Sequence, residues 1–169
     1  MKPHQLVLLA ASCCSVLLAS VAMAMQASPP KEASPIYGVT LPDGYRQWQL
    51  IAPAQEGAPL NELRAVLGNR TAIKAYQSGA QPFPDGTVLV KLAWKHEQSP
   101  EFESASIPGD ATTVQVMVKD AKKYASTGGW GYGRFVRGKP ADEAQHKTCF
   151  ACHEARAKAR DYVFTRYAP

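Results

Sequence analysis

Alternating apolar and polar positions predict that the chain forms short β-strands joined by turns. The clearest alternation follows a Pro-Asp-Gly turn and covers residues 87–94, where one face carries Val88, Val90, Leu92 and Trp94. A second alternation covers residues 112–119, where one face carries Val114, Val116 and Val118. Valine-rich strands of this kind favour a sheet over a four-helix bundle. We therefore predict an α+β fold: a compact β-rich domain with an antiparallel sheet and a few helices.

Weaker patterns assign the segments before these strands. Residues 45–52 fit a short strand or an extended segment, and residues 60–66 fit a short strand or a helical turn. Residues 69–77 fit a helix ended by Gly79. Turn-forming residues predict a loop at 53–59.

The segments on either side of the second strand are predicted from composition. Polar residues predict a loop at 96–111, and glycines alternate with large rings at 128–133, as in a bulged strand or the wall of a pocket. Residues 141–160 are predicted to form a C-terminal helix, which an aromatic tail at 161–167 follows.

The first 24 residues resemble a secretory signal peptide. Lys2 precedes an apolar run that is short for a membrane span and ends on small residues, so we predict cleavage after Ala24 and export to the periplasm without a remaining membrane span. The segment before Cys13 faintly resembles a lipoprotein cleavage site, which is the alternative. Residues 25–36 would form a flexible leader, and residues 37–169 one folded domain.

The excess of basic over acidic residues bears on which macromolecules the protein could bind. The full chain carries 19 basic and 14 acidic residues, and basic side chains are concentrated in the C-terminal third. A basic surface there could steer an acidic redox partner, although it also fits an ordinary soluble surface. No nucleic-acid-binding motif is present in the sequence.

The chemistry-bearing motif is Cys149-Phe150-Ala151-Cys152-His153. Two thiols at this spacing can each add to a haem vinyl group, and the adjacent imidazole can take an axial position on the iron. We therefore predict one covalent haem c held by Cys149 and Cys152, with His153 as the iron ligand. A zinc knuckle, a redox dithiol and a structural disulfide are the alternatives for the same residues.

The sixth iron position separates electron carriers from ligand-binding haem proteins. Few side chains of the predicted mature chain could fill it: Met25, Met117, His96 and His146. His146 just precedes the motif and is expected on the same side of the haem as His153. Met117 shares a strand face with Gln115 and could approach the haem, but a methionine in a valine-rich strand more often packs in the core. We therefore predict an open distal site.

Several ordered motifs together resemble the cytochrome P-460 family. They are Phe83 to Lys91, Val116 to Asp120, Gly129-Trp130-Gly131, Cys149 to His153 and Asp161 to Thr165. The resemblance implies a β-rich domain, often dimeric, with a five-coordinate c-type haem. It also implies periplasmic hydroxylamine oxidation with electrons passed to a small redox protein, or nitric oxide binding as in the related cytochromes c-prime-β.

The resemblance assigns roles to three further residues. Lys91 occupies the position of a lysine that hydroxylamine-oxidising members join to a meso carbon of the haem, whereas an ordinary lysine there would extend its ammonium into water. Gln115 occupies the position of a carboxylate that takes protons from substrate, and an amide cannot act as that base. Arg64 matches a pocket arginine, and a surface charge is the alternative.

Overall fold

A computed structural model of the chain describes residues 30–168, and the predicted signal peptide, Cys13 and Met25 lie outside them. Its centre is a six-stranded antiparallel sheet whose strands neighbour one another in sequence order. The strands are β1 (Gln49–Glu56), β2 (Glu62–Gly68), β3 (Val88–Gln98), β4 (Ser106–Lys119), β5 (Trp130–Val136) and β6 (Lys139–Pro140).

Two helices accompany the sheet, and both begin at a capping side chain. Helix α1 (Arg70–Ser78) begins after Asn69, whose side-chain oxygen accepts a hydrogen bond from the Ala72 N–H, and it ends at the left-handed Gly79. Helix α2 (Glu143–Ala157) begins after Asp142, which accepts from the Gln145 N–H. The predicted α+β class and the predicted C-terminal helix are confirmed.

Short 3₁₀ turns and an ordered N-terminal turn complete the chain. The 3₁₀ turns cover Tyr45–Gln47, Ala125–Thr127 and Lys158–Arg160. The Ser34 hydroxyl is buried and donates to the Tyr132 carbonyl, so packing against the sheet begins just before the predicted domain start at residue 37.

The two predicted loops were wrong in part, because polar segments extend the strands. β1 continues to Glu56 through Pro53, which an edge strand tolerates because one side of its backbone needs no partner. β3 continues to Gln98, and β4 already begins at Ser106, so only residues 99–105 connect them. Residue 45, predicted to begin a strand, begins a 3₁₀ turn instead.

Strand register places four side chains in one row across the sheet. Lys91 lies opposite Val66 on one side and Gln115 on the other, and Gln115 lies opposite Arg134. Directly opposed residues share a sheet face, so all four point to the same side. On that face the next row along β5 carries Tyr132, whose ring contacts residues of α2. Helix α2 therefore packs over the face that carries Lys91.

The hydrophobic core lies along the middle of the sheet. Its most buried side chains include Ile51, Val90, Val116, Trp130 and Phe135. Within residues 30–168, no helix is long and apolar enough to cross a membrane.

Candidate haem-binding site

Helix α2 carries the three motif residues and places two of them, Cys149 and His153, against the core and β5. Cys149 is partly buried and Cys152 is exposed, and both thiols are free, so the disulfide alternative does not hold in this structure. Residues 30–168 contain no group of three metal-binding side chains, so the zinc alternative finds no further ligands there. Burial raises the pKa of the Cys149 thiol, and the nearby charges of Arg134 and Lys91 oppose that rise.

The His153 ring is oriented by a backbone hydrogen bond. Its Nδ1 lies 2.7 Å from the Tyr162 carbonyl oxygen, which can only accept, so Nδ1 carries the proton and Nε2 has a free lone pair. The ring packs between Tyr132 and Phe164, at centroid distances of 5.0 and 4.8 Å. Burial lowers the pKa of His153, which favours the neutral imidazole that a metal requires.

His146 uses both of its ring nitrogens inside the protein. Nδ1 donates to the Asp142 carbonyl at 2.8 Å, and Nε2 accepts from the Arg134 N–H at 3.0 Å. The side chain is fully buried. His146 therefore fastens α2 to β5 and has no lone pair left for an iron.

The other two candidates for the sixth iron position within the described residues also have structural surroundings. Met117 packs against the core between Leu89 and Tyr132 on the neighbouring strands. His96 lies toward the far end of β3, where its Nε2 is 2.6 Å from the Ser106 hydroxyl. Of the two, only Met117 occupies the middle of the sheet.

Lys91 is partly buried and has no polar partner in the described part of the chain. Its amine makes no hydrogen bond or ion pair with any residue from 30 to 168. Burial, followed by repulsion from Arg64, lowers its pKa to about 8. Lys91 also perturbs the pKa of both Cys149 and His153, which shows that its amine lies near the haem motif.

Gln115 lies beside Lys91 on β4, and its amide nitrogen donates to the Thr113 hydroxyl at 3.2 Å. The amide adds a donor and an acceptor to this face but cannot take a proton near neutral pH. The row thus places the predicted cross-link residue and the residue at the predicted base position side by side.

Arg64 belongs to an ion-pair cluster on the same face. Its guanidinium contacts Glu62 at 2.6 and 2.9 Å and also contacts Glu56, and its side chain is only 13% exposed. Thr112 donates to the second oxygen of Glu62 at 2.6 Å. Sequence reasoning missed Glu62, although a glutamate two residues from an arginine in a strand places both charges on one face.

Unpaired buried donors offer a direct test of whether this site fits a haem. Arg134 Nε and Tyr132 Oη are buried, and neither has a hydrogen-bond partner within residues 30–168. The charge of Arg134 affects the pKa of both Cys149 and Lys91, and the Tyr132 ring packs against His153. Both donors therefore lie close to the Cys149-to-His153 motif, where a haem joined to it would be. Buried donors normally have partners, and the propionates of a haem are suitable acceptors. The residues present fit a haem, and the sequence had not indicated the role of Arg134.

Comparison with known proteins identifies the family. The family model described as Cytochrome P460 matches residues 42–165, which is well over half of the chain. No curated protein matches the chain. The matched range includes the six-stranded sheet, both helices, Lys91 and the Cys149-to-His153 motif. The chain therefore belongs to the cytochrome P460 family, whose members are haem c cytochromes with iron.

Proposed function

We propose that this protein is a periplasmic mono-haem c-type cytochrome with an open distal site. It would oxidise hydroxylamine, bind nitric oxide or do both, and in turnover it would pass electrons to a small redox protein. The signal-like residues 1–24 support export, and they lie outside the described structure.

The observation that carries the proposal is the shortage of a sixth ligand. His146 is occupied at both nitrogens, and His96 lies far along β3 against Ser106. Met117, in the middle of the sheet, packs among core side chains. A plain electron carrier, the third candidate function, would need one of them or a residue outside the described range.

The residues of this chain would hold the haem from several directions. Cys149 and Cys152 would form the thioethers, His153 Nε2 would bind the iron, and Arg134 would pair with a propionate. The bound haem supplies an iron position open to small nitrogen ligands and accepts electrons from an oxidation. Gln115 and the cluster at Arg64 would then contribute hydrogen bonds and charge on this side of the sheet.

We further propose that Lys91 is joined through Nζ to a meso carbon of the haem. Its lowered pKa supports this, because a neutral amine is nucleophilic. The new C–N bond replaces one N–H and one C–H bond, so a two-electron oxidant such as hydrogen peroxide must take up two electrons and two protons. Mass spectrometry of the haem peptide tests it: tryptic cleavage after an unmodified Lys91 would rule out the cross-link.

Nitric oxide binding without turnover is the second candidate function. It is favoured by Gln115, since an amide at the expected base position cannot take protons from hydroxylamine. Glu62, the buried carboxylate on this face, already has both oxygens occupied by Arg64 and Thr112.

The absorption spectrum of the purified holoprotein tests the open site. We expect high-spin bands that shift when nitric oxide is added. A low-spin spectrum that does not change with nitric oxide would contradict both candidate functions and leave the electron carrier.

A steady-state assay with hydroxylamine and an artificial electron acceptor separates the two candidates. If the missing carboxylate limits turnover, Gln115→Glu raises the rate about a hundredfold, the usual contribution of a positioned base. Gln115→Met is the matched control, because it alters the same side chain without adding a base. An unchanged rate in Gln115→Glu would show that the carboxylate is not limiting.

A further inference from the structure

Tyr162, whose carbonyl orients the His153 ring, lies in a backbone segment of unusual conformation. Asp161 and Tyr162 follow the last 3₁₀ turn, and both have left-handed φ values, 50° and 63°. Two successive non-glycine residues in this region are disfavoured and persist only where the surroundings hold them. This conformation presents the Tyr162 carbonyl to His153 Nδ1, while the Tyr162 N–H donates to Ala157.

A buried ion pair holds the segment from one side. Lys119 Nζ lies 2.8 and 3.0 Å from the two oxygens of Asp161, and the side chains are only 6% and 9% exposed. Asp161 also accepts from the Phe83 N–H at 2.8 Å, and Lys119 donates to the Gly128 carbonyl at 3.0 Å. The segment is therefore fastened to the end of β4 and to the chain before β3.

The ring of Tyr162 holds the segment from the other side. It lies over Gly128, where a Cβ would overlap the ring, and Gly128 has a φ of 65°. It also contacts Phe150 of α2, at a centroid distance of 5.6 Å. With the carboxylate fixed before it and its own ring packed, the Tyr162 carbonyl has little freedom to move away from His153.

We propose that the Lys119–Asp161 pair is a positioning device for the axial ligand of the iron. By fixing the Tyr162 carbonyl it maintains a strong hydrogen bond from His153 Nδ1, which makes the imidazole a stronger electron donor. A stronger donor would stabilise ferric iron relative to ferrous iron. This inference rests on the proposed coordination of iron by His153.

The test compares the ferrous holoprotein of Asp161→Asn and Lys119→Met with the parent. Asp161→Asn keeps the side-chain shape and removes the charge. We expect the iron–imidazole stretching band in the resonance Raman spectrum to move to lower frequency in both variants. We also expect the ferrous-to-ferric ratio at a fixed potential to rise about tenfold, which is about 59 mV for one electron.

Lys158→Met is the matched control. It breaks an ion pair with Glu154 that is exposed to water and does not involve Tyr162, so the band and the potential should stay at parent values. Variants that remain folded by circular dichroism and show the parent band and potential would overturn the proposal.

Two further outcomes keep the test decisive. Should both variants unfold, Asp161→Glu decides, because it keeps the charge but lengthens the side chain by one methylene and so displaces the segment. The band should again move to lower frequency, and the parent band and potential in this variant would overturn the proposal. If the ferrous absorption spectrum is that of a high-spin, five-coordinate haem, a parent Raman spectrum without any iron–imidazole band means instead that His153 is not the ligand. That result rejects the proposed coordination, whereas an unmoved band in Asp161→Asn rejects only the positioning role.

Discussion

At the scale of single residues, Lys91 links burial to a measurable pH dependence. Its pKa is about 8 in the folded protein and about 10.4 in an unfolded chain. Between these values the unfolded chain binds more protons, so the free energy of unfolding rises with pH. In the haem-free protein we expect this lysine to add about 3 kcal/mol of stability between pH 8 and pH 10.5.

Urea unfolding across that pH range measures the effect. The comparison is with Lys91→Met, which keeps the apolar stem and cannot titrate, so contributions from tyrosines and cysteines cancel. If the free energy of unfolding changes with pH in the same way in both proteins, the amine of Lys91 is hydrated in the folded state.

The sequence points to individual residues of the candidate site more directly than to their neighbours. The motif gives His153 directly, and strand alternation gives Lys91 an apolar face. Arg134 and Glu62 become part of the site only through the register of β2 against β3 and of β4 against β5. Register depends on contacts between distant residues, which a single sequence does not reveal.

At the scale of secondary-structure elements, His146 is the connection between α2 and β5. We expect His146→Leu to lower the free energy of unfolding by about 1–3 kcal/mol, because it leaves the Arg134 N–H without its partner, whereas the Asp142 carbonyl keeps the hydrogen bond from the backbone N–H of residue 146. Denaturant unfolding followed by circular dichroism measures the loss.

His96→Leu provides the control, since that ring is partly exposed and its one side-chain hydrogen bond within residues 30–168 is to Ser106. We expect it to change stability by less than about 1 kcal/mol. We expect the parent and His146→Leu to show the same high-spin absorption spectrum. A low-spin parent spectrum that becomes high-spin on this substitution would show that His146 is an iron ligand.

Elements with an apolar pattern were predicted well, and those without one were not. Helix α1 was recognisable because Asn69 and Gly79 mark its ends. The outer parts of β3 and β4 are polar and largely exposed, and they are held by pairing such as Glu97 with Ile107. Backbone pairing outside the core requires no alternation of apolar side chains, so composition suggested a loop.

At the scale of the whole molecule, positive charge should govern encounters with a redox partner. Several basic side chains of the C-terminal third are exposed and make no ion pair within residues 30–168: Arg137, Lys139, Arg156 and Arg166. We expect the rate of electron transfer to an acidic redox protein to fall about tenfold between low and high salt.

Stopped-flow kinetics at several ionic strengths measures this rate. Arg156→Gln, three residues after His153, should weaken the salt dependence, whereas Lys74→Gln on α1 should leave it unchanged. A rate that does not depend on salt in the parent protein would exclude electrostatic steering.

The sequential order of the strands also bears on how the protein matures. Each strand pairs with the next one along the chain, so the sheet can assemble hairpin by hairpin during synthesis or export. Strands β3 and β4, which carry Lys91 and Gln115, can then be paired before the Cys149-to-His153 segment is added to the structure. Haem attachment at the proposed thioether positions would then coincide with the last stage of folding, when α2 closes over a surface already formed.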